Sequence, residues 1–158
     1  MKNTVAAATV SLPKNLKPIM STNSAHLVEL PHFSDARGHL GVVEAAQHLG
    51  FSLERAFFIY HTPPSTHRGG HAHKTLQQFL ISLGAPVTVK THNGQTETTH
   101  TLQPYTQGLM VPPRHWVDID HIQASTTLLV LCSAAYDEAD YLRDFPSFLQ
   151  YCAARPSP

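Results

Sequence analysis

Short runs of alternating apolar and polar residues, separated by Gly, Pro, Asn and Asp, fill most of this 158-residue chain. A period of two is typical of half-buried strands, and these runs recur at roughly ten-residue spacing from His26 onward. Asn93-Gly94 separates two of them and predicts a tight hairpin. Many short strands with little helix predict an all-β sandwich or barrel. The predicted strands are 26–30, 39–45, 55–61, 71–83, 87–91, 96–102, 108–111, 115–119 and 126–133.

The pattern changes at both ends of the chain. From Asp137 to Ala154 the apolar residues recur at three- and four-residue steps, which predicts a short C-terminal helix that begins or breaks near Pro146. Residues 1–25 are rich in Ala, Ser, Thr, Asn and Pro, and we interpret them as a flexible N-terminal arm. Residues 26–154 then form a single domain without an internal repeat.

Composition excludes several classes of protein. Eleven basic and eleven acidic residues give a formal net charge of zero, and without a basic run we expect no nucleic-acid partner. No apolar stretch approaches the roughly 18 residues of a membrane span. Pro13-Lys14 interrupts a weak likeness to a signal peptide, so we expect a cytoplasmic protein. Two cysteines make no disulfide scaffold, and Cys132 is predicted to be a buried thiol.

A histidine pair is the main chemical signal of the chain. His71 and His73 follow Arg68-Gly69-Gly70 and precede Lys74. Successive side chains of a strand alternate between its two faces, so the two histidines are predicted to point to the same side. Because imidazole titrates near neutral pH, such a pair suits either proton transfer or metal binding.

The two possibilities differ in the ligands they need. A small barrel with two histidines on an inner face resembles the cupin family, whose usual metal set is His-x-His, a later acidic residue and a further His. Counted by twos from His73, Gln77 takes the acidic position, and His115 could be the later histidine. An amide is an uncharged and poorer ligand than a carboxylate. A metal site and a merely polar pocket stay open as alternatives, but acid–base chemistry is favoured.

Acid–base chemistry would need no metal and no organic cofactor. A neutral imidazole can take a proton from a carbon next to a carbonyl and return it elsewhere. A second histidine beside it can polarise the oxygen or relay the hydroxyl proton. Arg68 and Lys74 would favour an anionic substrate or an enediolate.

Five segments carry a closer resemblance. In this order along the chain, and over roughly residues 26 to 150, they resemble the WxcM-like family of small cupins, the dTDP-sugar 3,4-ketoisomerases. The segments are Asp35-Ala36-Arg37-Gly38-His39-Leu40, Arg55-Ala56-Phe57-Phe58-Ile59-Tyr60, Arg68-Gly69-Gly70-His71-Ala72-His73-Lys74, 108–116 (GLMVPPRHW) and 133–145 (SAAYDEADYLRDF).

The resemblance implies a fold and a reaction. The fold is a single-domain cupin, a jelly-roll β-barrel with a short C-terminal helix. The reaction converts a dTDP-4-keto-6-deoxyhexose to the 3-keto sugar through an enediolate, without cofactor or metal. By motif position His73 is the base and His71 assists it. Family members are dimers, often with N-terminal strands exchanged between subunits, so we expect a homodimer.

Contacts to the nucleotide sugar are assigned more broadly. Each candidate arginine or lysine could bind the diphosphate or be an ordinary surface charge, and Trp116 could stack on thymine or fill the core. Relatives often carry a tyrosine where this chain has Phe57-Phe58, and Tyr60 could replace it. We interpret the segment Tyr136 to Tyr141 as a structural turn and cap. The predicted substrate-binding residues are Arg37, Arg55, Tyr60, Arg68, Lys74, Gln77 and Trp116.

Three other functions stay possible on sequence alone. A dTDP-keto-sugar 3,5-epimerase would use the same architecture and a histidine base. A metal-dependent cupin enzyme, such as a dioxygenase, would contain a stoichiometric metal ion. A non-catalytic sugar-nucleotide binding module would bind tightly without exchanging any proton of the sugar.

Overall fold

The computed structural model describes residues 23–63, 66–120 and 122–154. The predicted N-terminal arm, residues 1–25, lies almost wholly outside these ranges and stays a prediction. Strands dominate the regular secondary structure of the described residues, and one short α-helix follows them, which confirms the predicted fold class. The strands are β1 (His26–Glu29), β2 (His32–Asp35), β3 (Gly38–Gly41), β4 (Arg55–Ile59), β5 (Arg68–His73), β6 (Gln78–Leu83), β7 (Val87–His92), β8 (Glu97–Leu102), β9 (Gln107–Val111), β10 (Trp116–Asp120), β11 (Thr127–Cys132) and β12 (Tyr141–Leu142); the helix is α1 (Phe145–Ala153).

Two five-stranded antiparallel sheets make up the body of the domain. Their strand orders are β1-β9-β6-β11-β4 and β12-β5-β10-β7-β8, which is a jelly-roll arrangement of two facing sheets. Side chains from both sheets form the main core between them, among them Leu80, Val117 and Leu128. Cys132 belongs to this core and is a buried free thiol, as predicted. Strands β2 and β3 form a separate two-stranded hairpin.

The structure corrects two predicted strands. The single strand expected over 71–83 is two strands, because β5 ends at His73 and the chain bends at Lys74-Thr75 before β6. The amides of Thr75 and Leu76 donate to the Asp140 carboxylate, which takes the place of sheet partners there. The strand predicted over 39–45 ends earlier, because β3 stops at Gly41, and Ala45–Leu49 forms a short π-helical segment.

A β-bulge near the start of β5 determines which of its side chains face the core. Val117 lies opposite His71, but the next residue, Asp118, lies opposite Gly69, so Gly70 is the extra residue. Both glycines have positive φ, and a Cβ at Gly69 would stand 2.3 Å from the Val117 carbonyl oxygen. Glycine is therefore required at Gly69, and the bulge places Arg68 opposite Ile119, a core residue.

Helix α1 covers the outer face of the second sheet. Asp144 caps the helix by accepting a hydrogen bond from the Ser147 amide at 2.9 Å. Pro146 lies in the first turn, which agrees with the predicted start of the helix near this residue. Phe148 packs against Ala72 and Trp116 in a second apolar cluster. Ala72 thus faces the helix, and its neighbours on β5 face the interior between the sheets. No helix in the described ranges is long and apolar enough to cross a membrane.

Candidate active site

The two histidines of β5 lie side by side on the inner face of the sheet. Val117, opposite His71, belongs to the core between the sheets, and Ala72 faces the other way. The imidazole centroids are 5.1 Å apart, with the rings nearly perpendicular at 89°. The prediction that His71 and His73 share a face is confirmed.

His73 is the more deeply buried of the two, with 5% of its surface exposed. Its Nδ1 lies 3.0 Å from the Asp140 carboxylate, and its Nε2 is buried without a hydrogen-bond partner among the described residues. Burial, and then the neighbouring His71, lower the pKa of His73 to about 4. At neutral pH the ring is therefore uncharged, as a general base must be.

His71 is half-buried and held by its own strand. Its Nδ1 lies 3.0 Å from the carbonyl oxygen of Gly69, which can only accept, so Nδ1 carries the proton and Nε2 a lone pair. Burial lowers the pKa of His71 as well. Both imidazoles thus use Nδ1 to bind the protein and keep Nε2 for chemistry.

Tyr141 closes one side of the histidine pair. It lies opposite His73 in the β5–β12 pairing, and its ring centroid is 4.3 Å from that of His73 and 5.1 Å from that of His71. The guanidinium of Arg143 lies 4.1 Å from the centroid of the same tyrosine and donates to both carboxylate oxygens of Glu138 at 2.8 Å. A phenol thus contacts both imidazoles.

Arg55 supplies a positive charge at the site. Its guanidinium lies 5.6 Å from the ring centroids of both Phe57 and Tyr136. It lines a small cavity of about 90 Å³ together with His73 and Tyr141, and its Nε is buried without a partner among the described residues. Its charge also contributes to the lowered pKa of His73.

The other predicted basic residues take different positions. Arg68 is exposed near the beginning of β5, on the strand that carries both histidines. The Lys74 ammonium donates a hydrogen bond to the Ala139 carbonyl oxygen at 2.5 Å and so tethers the segment before α1 to the end of β5. Arg37 is exposed in the β2–β3 turn and pairs with Asp35 at 2.5 Å. The structure thus brings Arg55 to the histidines and gives Lys74 and Arg37 protein partners.

Three further predicted contacts lie away from the histidines. Tyr60 follows the end of β4, is 59% exposed and stacks edge-on against His61. Trp116 packs under helix α1 and donates to Asp118 at 3.0 Å, which agrees with a core role. Counting in twos from His73 predicts that Gln77 faces the same side as the histidines. This prediction is wrong because the bend at Lys74-Thr75 interrupts the strand.

Gln78, and not Gln77, shares its face of β6 with Leu80. Gln78 is buried, and Leu80 belongs to the core between the sheets. The described residues contain no group of three or more His, Cys, Asp or Glu side chains arranged to hold a metal ion.

Sequence reasoning missed the contribution of the segment before the helix. This segment, interpreted as a turn and cap, does contain a cap: Asp137 accepts from the Ala139 amide at 2.9 Å. It also brings Asp140 and Tyr141 to His73, although His73 and Asp140 are 67 positions apart in the chain. No local spacing could have shown this contact, because it arises from the pairing of β12 with β5.

Comparison with known proteins assigns the chain to a family. The family model described as "FdtA: WxcM-like, C-terminal" matches residues 23–153. The chain belongs to this WxcM-like family. It is 34% identical over 119 residues to a TDP-4-oxo-6-deoxy-alpha-D-glucose-3,4-oxoisomerase of Aneurinibacillus thermoaerophilus, which covers 75% of this chain and 86% of that protein.

Solved structures extend the likeness to the whole fold. A histidine-to-asparagine mutant of the 3,4-ketoisomerase QdtA of Thermoanaerobacterium thermosaccharolyticum, in complex with TDP-4-keto-6-deoxyglucose, superposes with a TM-score of 0.80. It is 28% identical and covers 88% of this chain and 100% of its own. The WlaRB TDP-quinovose 3,4-ketoisomerase of Campylobacter jejuni gives a TM-score of 0.76 at 29% identity, over 82% of this chain and 99% of its own.

Proposed function

We propose that this protein is a sugar-nucleotide 3,4-ketoisomerase that acts on a TDP-linked 4-keto-6-deoxy sugar. Its family and the named activities of its relatives support this assignment and agree with the function expected from the sequence. The observation that carries it is the pair of neutral imidazoles on one inner face, each bound through Nδ1 and each with Nε2 available.

Proton transfer between neighbouring carbons explains how such a pair would work. His73 Nε2 removes the proton from C3, and the electrons form an enediolate across C3 and C4. A proton is then delivered to C4, while the C3 hydroxyl loses its proton and becomes the keto group. The C4 oxygen gains a proton and becomes a hydroxyl, so atoms and charge balance. His71 and Tyr141, both in contact with the His73 ring, would carry the hydroxyl protons.

The arginines would stabilise negative charge. Arg55 lines the cavity beside His73 and its position suits an enediolate oxygen, because its Nε has no other partner among the described residues. Arg68, exposed on the histidine strand, suits the diphosphate. Tyr141 takes the role expected of Tyr60, because it contacts both histidines and Tyr60 contacts neither of them.

The assembly we propose is a cytoplasmic homodimer. Phe58 on β4, an edge strand of its sheet, is 58% exposed, and Tyr60, directly after this strand, is 59% exposed. Such exposed aromatic side chains on an edge strand favour burial against another chain. The separate β2–β3 hairpin is the described N-terminal element best placed for exchange between subunits, and it carries Arg37.

Proton NMR of TDP-4-keto-6-deoxyglucose incubated with the protein in D₂O, with and without EDTA, tests the reaction. A 3-keto product with deuterium at C4, unaffected by EDTA, is expected. Exchange confined to C3 and C5 would instead identify a 3,5-epimerase, and EDTA-sensitive turnover would identify a metal-dependent enzyme. Tight binding with no exchange would leave a binding module.

A further inference from the structure

We propose that Asp140 is a positioning residue that holds His73 in the tautomer with its proton on Nδ1, which leaves Nε2 free to act as the base. This inference rests on the proposed function for its effect on turnover. The tautomer itself is a property of the free protein and can be measured without any substrate.

The hydrogen bonds of Asp140 determine where the proton lies. Its Oδ2 is 3.0 Å from His73 Nδ1. Burial by itself would raise the pKa of Asp140, but bonds from Thr75, His73 and Leu76 outweigh it and lower that pKa. Since an ionised carboxylate only accepts, His73 Nδ1 must donate. A neutral ring then has its lone pair on Nε2.

The Asp140 carboxylate is itself held in a fixed orientation. Its Oδ1 accepts from the Thr75 amide at 2.8 Å and from the Thr75 hydroxyl at 2.7 Å, and its Oδ2 also accepts from the Leu76 amide at 3.3 Å. Only 12% of the side chain is exposed. The backbone carbonyl of Asp140 accepts from the Lys74 amide at 2.9 Å. The carboxylate is thus in place before any substrate arrives.

The surroundings of His73 offer its other nitrogen nothing comparable. Nε2 is buried and has no partner among the described residues. The charged and titratable groups that face this ring are Asp140, His71, Tyr141 and Arg55. Asp140 is the one of these four that is hydrogen-bonded to the His73 ring. Without the carboxylate, both neutral tautomers of His73 would be populated. The tautomer protonated at Nε2 could not act as the base, because that nitrogen must accept the proton.

The Asp140→Asn variant would invert this arrangement at nearly constant shape. The Thr75 amide, 2.8 Å away, donates to Oδ1 and would keep the amide oxygen of asparagine on its side. The amide NH₂ would then face His73 Nδ1 and donate to it, which forces the ring proton onto Nε2. Asp144→Asn is the matched control, because it removes the same charge from the exposed cap of α1, where asparagine caps equally well.

Nitrogen NMR of ¹⁵N-histidine-labelled protein tests the inference, with the His73 signals assigned by their loss in His73→Asn. We expect the Nδ1-protonated tautomer in the wild type and in Asp144→Asn, and the Nε2-protonated tautomer in Asp140→Asn. Turnover of Asp140→Asn should fall by roughly 10²- to 10⁴-fold in kcat with little change in KM.

Two results would overturn the inference: an Nε2-protonated His73 in the wild type, or an unchanged tautomer in a folded Asp140→Asn. If Asp140→Asn does not fold, the wild-type spectrum decides, and Thr75→Val, which removes one anchor of Asp140, should keep the Nδ1-protonated form. A tautomer that inverts while kcat stays unchanged would support the positioning role and refute His73 as the base, so the two failures are distinguishable.

Discussion

The N-terminal hairpin and the C-terminal segment 136–144 carry polar residues of similar kind but use them differently. In the hairpin, Arg37 pairs with Asp35 two positions away, and both side chains are exposed. In the C-terminal segment, Asp140 bonds to His73 and Tyr141 packs on both histidines. The Asp35–Arg37 pair is local, whereas Asp140 pairs with a residue 67 positions away on another strand.

This difference shows where the function of a polar residue is decided. A local pair such as Arg37 and Asp35 is readable from spacing, but it is exposed and adds little rigidity to a site. A long-range pair such as Asp140 and His73 cannot be seen in the spacing, yet it is buried and fixes the orientation of the His73 ring.

Replacing His73 by asparagine should have the largest effect. His73→Asn removes the proposed base and should lower kcat by at least roughly 10²- to 10⁴-fold while TDP binding persists. Stopped assays of 3-keto product and calorimetric titration with TDP measure the two properties. His61→Asn is the matched control, because His61 is exposed at φ 50°, a conformation that asparagine tolerates. Unreduced turnover in His73→Asn would remove it from the mechanism.

Two tyrosine-to-phenylalanine variants compare the phenol at the histidines with the exposed one. Tyr141→Phe keeps the ring against His71 and His73 but removes the hydroxyl, so kcat should fall by roughly 10²-fold if that hydroxyl carries a proton. Tyr60→Phe should leave kcat unchanged. Both values come from the same product assay at saturating substrate. The reverse order of effects would restore the role first expected of Tyr60.

The acid limb of the pH profile should lie well below the pKa of free histidine. Since His73 must be neutral to act and its pKa is about 4, kcat/KM should stay level from pH 7 to below 6.5 and fall only toward 4. Stability should follow the same sign. The unfolded chain binds more protons between pH 6.5 and 4, so the stabilisation from a neutral His73 is full above 6.5 and lost toward pH 4. A kcat/KM limb near 6.5 would contradict the buried, neutral base.

Removing the hairpin charge should have the smallest effect. Arg37→Ala breaks an exposed pair with Asp35, so the melting temperature should not change. If the hairpin reaches the site of a partner subunit, KM for the nucleotide sugar should rise while kcat stays near the wild-type value. Steady-state kinetics measures KM and kcat. An unchanged KM would return Arg37 to the role of a surface charge.

Much of the fold could be predicted from the sequence. Alternation and turn residues predicted most strands, the Asn93-Gly94 turn joins β7 and β8 as expected, and the helix begins beside Pro146. One error, the single strand predicted over 71–83, occurs where a distant residue replaces a local backbone partner. The Asp140 carboxylate accepts hydrogen bonds from the amides of Thr75 and Leu76, so β5 ends at His73. The alternation of side chains therefore does not continue from His73 to Gln77.

The candidate site divides in the same way. That His71 and His73 share a face follows from the two-residue period of any strand, so the histidine pair and the class of fold could be predicted from local patterns along the chain. The folded chain, and no local pattern, brings Asp140, Tyr141 and Arg55 to the histidines and keeps Tyr60 and Trp116 away from them. The physical reason is that periodicity governs neighbours within one strand, whereas the pairing of β5 with β12 and the packing of the two sheets depend on the whole chain.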